Sequence, residues 1–301
     1  MSKARELAEL GAAYDSGALS NRNMIINGAM QCWQRGTSAS GGSISSFVFI
    51  ADRFWMYAPS SSSGTISQST DVPSGEGFVY SLYNNLNASC SVGTNVELEK
   101  QGADAPFVNG EQYTLSFYVK AGSASSGVAI SVSTRDNSGG TGSVVRASLT
   151  FDISTSWVRV EKTFTLSATV GGSNRCLQFE FSLPVGGYVT GFQLERGTEA
   201  TPFEHRTFGD ELARCQRYFH KHNVDYFLNT IRSGDDARKV TCVYPTTMRT
   251  TPSIVLTSSN LDGASSITTQ GITTGGVRWK CAGQANSDAP SISEFTADAE
   301  L

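Results

Sequence analysis

The chain is predicted to be all-β, and three observations carry that prediction. Apolar and polar residues alternate with a period of two in one segment after another, the mark of half-buried strands. These segments are separated by clusters of Gly, Ser, Asn, Asp and Pro, with 30 glycines in 301 residues, a composition suited to short strands joined by tight turns. Only 17% of the residues are charged, which leaves little material for long amphipathic helices. The expected architecture has four parts: an N-terminal helical arm over residues 1–20, an antiparallel jelly-roll sandwich over 21–206, and, over 207–301, a short linking helix and a small C-terminal β-sandwich.

In the arm, Ala4, Leu7, Ala8 and Leu10 fall at helical spacing with charges between them. So short a helix is marginal alone in water and needs a partner surface. Gly11 and Gly17 bound the connection that follows, which contains Tyr14. From these residues alone the segment reads equally as a frayed terminus or as a docking arm.

The main body begins at Asn21. MIINGAMQCWQRG is read as strand, Asn27-Gly28 turn and second strand, and FVFIADRFWMYAP as a strong aromatic strand. Further strands are expected at GFVYSLYNN, TNVELEKQG, QYTLSFYVKAG, GVAISVSTR, VVRASLTFDI, WVRVEKTFTLS, CLQFEFSL and YVTGFQLE. QYTLSFYVKA is the clearest: Tyr113, Leu115, Phe117 and Val119 point one way, and Thr114, Ser116, Tyr118 and Lys120 the other. Eight to ten such strands suit a two-sheet jelly roll.

Gly197 and Thr201-Pro202 break the closing strand, and Thr207 with Asp210 opens a short helix in which Phe208, Leu212, Cys215 and Phe219 are spaced as one face. At least five more strands follow, separated by turn residues. The chain ends in the last of them, so the terminus is expected to be tied down. A β unit of this size has a thin core and should pack on a neighbour or oligomerise.

The net charge of −4 provides no basic field for a phosphate backbone, so nucleic acid is not an expected partner. No apolar run approaches the length of a membrane span, and the first ten residues lack a secretory core, so membrane insertion is not expected. The six cysteines form no C-x-x-C pair and read as buried thiols.

No catalytic signature is present, and no catalytic residue is assigned. His220 and His222 fall on one face of a strand, a spacing compatible with a divalent metal, but no third ligand lies near in sequence; a surface pair without metal is the better reading. Glu195, Glu199 and Glu204 form the densest acidic cluster. The stronger reading is structural, with Glu204, His205 and Arg206 pairing at the exit of the jelly roll to tie the linker to the helix, and the weaker one is a calcium site in the cluster, since hard cations favour oxygen ligands. No other cofactor is expected. Recognition is assigned to aromatics, because a sugar ring stacks its C–H face on an aromatic ring while polar neighbours take its hydroxyls. Trp33, Trp55, Tyr57, Tyr83, Tyr118 and Trp157 lie on the body. Of these Trp33, Trp55 and Tyr118 are the glycan-binding candidates, Tyr118 being expected exposed on the polar face of its strand.

QLERGTEATPFEHRTFGDELARCQRYF, together with NRNMIINGAMQCWQRGTS, ADRFW and VYPTTMRTTPSIVL, resembles a family of bacteriophage virion proteins, described as tail-fibre or receptor-binding proteins, from phages of marine bacteria and cyanobacteria. The order of strands also resembles carbohydrate-binding-module sandwiches. The phage resemblance favours the arm over a frayed end and implies virion attachment through Leu7, Leu10 and Tyr14. It further implies residence in the virion, a homotrimer, other tail or capsid proteins as partners, and a host-surface glycan or protein as receptor. The alternative is a purely structural adaptor, capsid fibre or decoration protein. A glycan depolymerase is the weakest reading, because no repeated short coil of a β-helix appears.

Overall fold

The computed structural model describes residues 22–97, 107–108, 110–136, 144–166, 174–223, 225–227, 238–261, 264–283 and 291–300. Leu7, Leu10 and Tyr14, with the whole expected arm, lie outside them. The chain divides into two compact units, with the boundary between Phe208 and Gly209.

In the first unit the strands run β1 (Ser38–Ser40), β2 (Val48–Phe49), β3 (Phe54–Tyr57), β4 (Gly64–Ser69), β5 (Ser81–Leu86) and β6 (Cys90–Glu97). They continue as β7 (Gln112–Lys120), β8 (Ser125–Asp136), β9 (Val144–Ile153), β10 (Val158–Thr165), β11 (Asn174–Leu183) and β12 (Tyr188–Arg196). Two six-stranded antiparallel sheets form, in the orders β1-β4-β5-β12-β7-β10 and β2-β3-β6-β11-β8-β9. Consecutive strands switch sheets repeatedly, the connectivity of a jelly roll. Between the sheets the alternating apolar residues meet: Phe54 lies 5.1 Å from Phe192, and Phe117 stacks on Phe181 at 5.6 Å and on Phe192 at 5.1 Å. A cavity of about 10 Å³ remains there, lined by Phe54, Phe117, Phe179, Phe192 and their neighbours, space for one water at most.

Three expectations about the body are corrected. Residues 24–34 contain no strand; the Asn27-Gly28 turn is present, but the Asn27 side chain takes backbone groups that a strand would pair. Its Oδ1 accepts from the N–H groups of Gln31 and Cys32, and its Nδ2 donates to the carbonyls of Cys32 and Asp52. FVFIADRFWMY is two short strands, because Arg53 at φ 69° turns the chain between them. Both faces of β7 are buried instead of one, as described below.

Helix α1 (Phe208–Gln216) starts one residue before the boundary, and the second unit continues with β13 (Phe219–His222), β14 (Tyr226–Phe227), β15 (Arg238–Val243), β16 (Ser253–Asn260), β17 (Ala264–Thr273), β18 (Gly276–Gly283) and β19 (Ser291–Asp298). The helix stops at Gln216, so Phe219 begins a strand. β19 pairs with β13, β14 and β16, while β18 lies between β15 and β17. The two small sheets share a core of Cys242, Val277, Trp279, Ile292, Phe295 and Ala297. No helix among the described residues is long and apolar enough to cross a membrane.

Candidate functional site

Alternation in β3 sends Phe54 and Met56 into the core and Trp55 and Tyr57 to the opposite, outward face of their sheet. The strand register then builds rows across that face. Phe49, Trp55, Gly93, Glu180, Ser131 and Ser148 form one row across β2, β3, β6, β11, β8 and β9. Tyr57, Ser91 and Ser182 form the next on one side, and Asn95, Gln178 and Ser133 the next on the other. Gly93 leaves the middle of the face without a side chain, and the Trp55 indole fills the gap: a Cβ at position 93 would fall 2.1 Å from Trp55 Cζ2.

The rows grade from closed to open. Asn95, Gln178 and Ser133 are buried, Glu180 and Ser131 half-buried, and Tyr57 is 40% exposed. Phe47, just before β2, is 53% exposed, its ring perpendicular to that of Trp55 at 4.8 Å and tilted against that of Tyr57 at 5.8 Å. At the rim the Arg35 guanidinium lies 5.1 Å from the Phe49 ring and 3.4 Å from the Asp52 carboxylate. The buried Arg53 donates to the Asn95 carbonyl at 2.6 Å, pinning the start of β3 to β6. Chemically the open part of the face offers aromatic carbon beside the half-buried hydroxyl of Ser131 and carboxylate of Glu180. Sheet cysteine Cys90 provides no nucleophile, since burial pushes its thiol up to about 12.

Of the three glycan candidates, only Trp55 belongs to this face, and it is 2% exposed. Trp33 is half-buried against the main core, and its Nε1 donates to the Met30 carbonyl at 2.6 Å. Tyr118, expected exposed, is 8% exposed on the outer face of the other sheet. There the chain covers the sheet: Phe78 packs on Tyr118 at 5.3 Å and on Phe203 at 4.9 Å, and the Tyr118 hydroxyl donates to Glu76 at 2.7 Å.

Where that cover ends, Tyr83, Tyr188 and Lys120 stand in one cross-strand row with Trp157 beside them. The tyrosines stack at 4.2 Å, Lys120 Nζ lies 4.7 Å from the Tyr188 ring, and Asp71 accepts from both Lys120 and Trp157 Nε1. Burial alone raises the Asp71 carboxyl; the two hydrogen bonds and the lysine charge outweigh it and hold the group below the ordinary carboxylate range. This cluster satisfies itself, ring on ring and charge on charge.

The calcium reading of the acidic residues is corrected. Among the described residues no three His, Cys, Asp or Glu side chains gather as a metal site. Buried Glu195 instead accepts from Gln193 Nε2 at 2.8 Å and from the N–H and hydroxyl of Thr201 at 3.0 and 2.5 Å. Glu204 accepts from the Asn23 N–H, and Glu199 is exposed. His220 and His222, read as a surface pair, are each only 8% exposed in the second unit, His222 stacking on Phe295 at 4.7 Å. Burial, reinforced by the charge on His222, pushes His220 down to about 4.

Sequence reasoning did not reach Phe47, Gly93, Asn95, Gln178 and Glu180 as parts of the site. The period-two pattern of CLQFEFSL does assign Gln178, Glu180 and Ser182 to one face, and an interior strand glycine such as Gly93 signals close approach of another group.

Residues 61–185 match the family model of a carbohydrate binding domain, CBM_4_9. Gly93, Asn95, Gln178 and Glu180 fall inside the match, and Trp55 and Tyr57 outside it. No curated protein sequence matches the chain. Among solved structures, the enzymatically active domain of tailspike protein 4 from bacteriophage CBA120 aligns at 15% identity and TM-score 0.36, over 58% of this chain and 22% of that one. The CBM22-1 xylan-binding domain from Paenibacillus barcinonensis Xyn10C aligns at 15% identity and TM-score 0.34, over 59% and 96%. A putative sugar binding protein from Bacteroides thetaiotaomicron aligns at 11% identity and TM-score 0.38, over 58% and 100%.

Proposed function

We propose that this chain is a non-enzymatic glycan-binding protein of a bacteriophage particle, a tail-fibre or receptor-binding component that attaches to host surface glycan. The observation that carries the binding part is the outward face around Trp55. Exposed aromatic carbon at Tyr57, beside Trp55, borders a polar row through Glu180 and Ser131 on a sheet that lies largely inside the carbohydrate-binding match. The phage part is supported by the resemblance of the motifs in residues 21–38, 51–55, 193–219 and 243–256. In this reading residues 1–20 attach to another tail or capsid protein through Leu7, Leu10 and Tyr14. A homotrimer presents three faces at once, which turns weak single-site sugar contacts into firm attachment.

The test is binding of labelled intact protein to a panel of candidate host bacteria, with and without competing glycan released from the same cells. Binding that the free glycan abolishes supports the proposal. A correctly assembled protein that ignores every strain whose phage carries it points to a purely structural virion component.

A further inference from the structure

We propose that Phe47 is a displaceable cover over Trp55 and so the residue that sets which glycans the face accepts; this rests on the glycan-binding reading above. The indole of Trp55 has two faces. Three bonded ring atoms, Cε2, Cζ2 and Cη2, lie 2.3, 2.1 and 2.7 Å from the point where a Gly93 Cβ would sit. Three adjacent atoms are that nearly equidistant from one point only when the ring lies face-on to it. One face therefore rests on the backbone of β6, and the other is directed away from the sheet, where a sugar would stack. Yet the side chain is 2% exposed. Against it stands the Phe47 ring, at 4.8 Å and 86°, itself 53% exposed and following the exposed residues Ser45 and Ser46.

An edge-to-face aromatic pair corresponds to a factor of about two to ten in an equilibrium constant. That is small enough for a ligand to overcome and large enough to select among ligands. With the cover in place, a glycan meets only the rim of Phe47 and Tyr57. A glycan that reaches Trp55 must displace Phe47, and its apparent affinity falls by the fraction of time the cover is open. Only sugars that gain contact with both Trp55 and Tyr57 recover that loss. The cover thus filters against rings whose axial hydroxyls prevent flat stacking.

The test uses the intact chain and its Phe47→Ala and Phe47→Leu variants, each checked for an unchanged melting transition. Oxidation of Trp55 by N-bromosuccinimide, followed by peptide mass mapping, reads accessibility without any glycan. Titration with cellohexaose, xylohexaose, mannohexaose and an alginate hexamer reads binding. The expected result is Trp55 oxidation about two- to tenfold faster in Phe47→Ala, with the other three tryptophans unchanged, and a similar gain in affinity or additional hexamers bound. Unchanged Trp55 oxidation in both variants overturns the proposal, as does faster oxidation accompanied by weaker binding, which makes Phe47 part of the platform. Faster oxidation with no hexamer bound by any of the three proteins overturns the glycan reading, and the selecting role with it.

Discussion

The carboxylate of Glu204 accepts a hydrogen bond at 2.8 Å from the backbone N–H of Asn23, 181 residues earlier in the chain. Around this contact the first and last described segments of the body are clasped together. Arg206 donates to the carbonyls of Asn23 and Ile25, and Arg22 to that of Pro202. The Asn23 side chain bridges inward, accepting from the N–H groups of Ile25 and Leu194 and donating to the Phe192 carbonyl at 2.9 Å. It thereby serves β12 where Gly191, at φ 69°, interrupts regular pairing with β7.

Asn23→Ala leaves three buried backbone groups without partners and is expected to cost about 3 kcal/mol. The check is the urea midpoint at constant slope. A loss under about 1 kcal/mol would mean that the clasp closes without this side chain.

Gly93→Ala places a methyl group against the Trp55 ring, which must leave the sheet. Destabilisation of about 1–3 kcal/mol is expected from overpacking. Gly42→Ala serves as control, since nothing lies within 4 Å of its Cβ position, and should stay within about 0.5 kcal/mol. Equal melting temperatures for the two variants would show that the indole has another place to go.

How much of this was legible in the sequence depends on whether the deciding partner was local. The two faces of QYTLSFYVKA, and the opposed directions of Trp55 and Phe54, follow from strand alternation within a few residues. Tyr118 was misjudged because its cover comes from Phe78 and Phe203, 40 and 85 residues away, and alternation says which way a side chain points, never what lies over it. The same holds for Trp55, whose bed is Gly93. Asn27 was legible as a turn, but its competition for backbone groups up to Asp52 was not. In the acidic segment the expected pairing of Glu204 with Arg206 is present at 3.4 Å, whereas His205 turns to the Glu76 carbonyl. The spacing of Glu195 and Glu204 carried no trace of Thr201 or Asn23 as partners.

The second unit should weaken in acid. His220 titrates near 4 in the fold against 6.5 when free, so between those values the unfolded chain binds more protons than the folded one. Stability present above pH 6.5 is therefore lost as pH falls towards 4, by up to about 3 kcal/mol. Hydrogen exchange of β13 and β19 across pH 7 to 4 measures it, and His220→Gln should flatten the profile. A profile that stays steep in the variant assigns the loss to other groups.

The central claim is that the face around Trp55 binds glycan, and isothermal titration of the intact chain with glycan released from the bacteria it binds tests it most directly. Trp55→Ala is compared with Tyr83→Ala, which alters the self-satisfied row on the opposite sheet. The account predicts binding by the wild type and by Tyr83→Ala, with at least about tenfold loss in Trp55→Ala, the usual scale for a stacked aromatic anchor. Binding that survives in folded Trp55→Ala and disappears in Tyr83→Ala would contradict it and move the site to the other face of the sandwich.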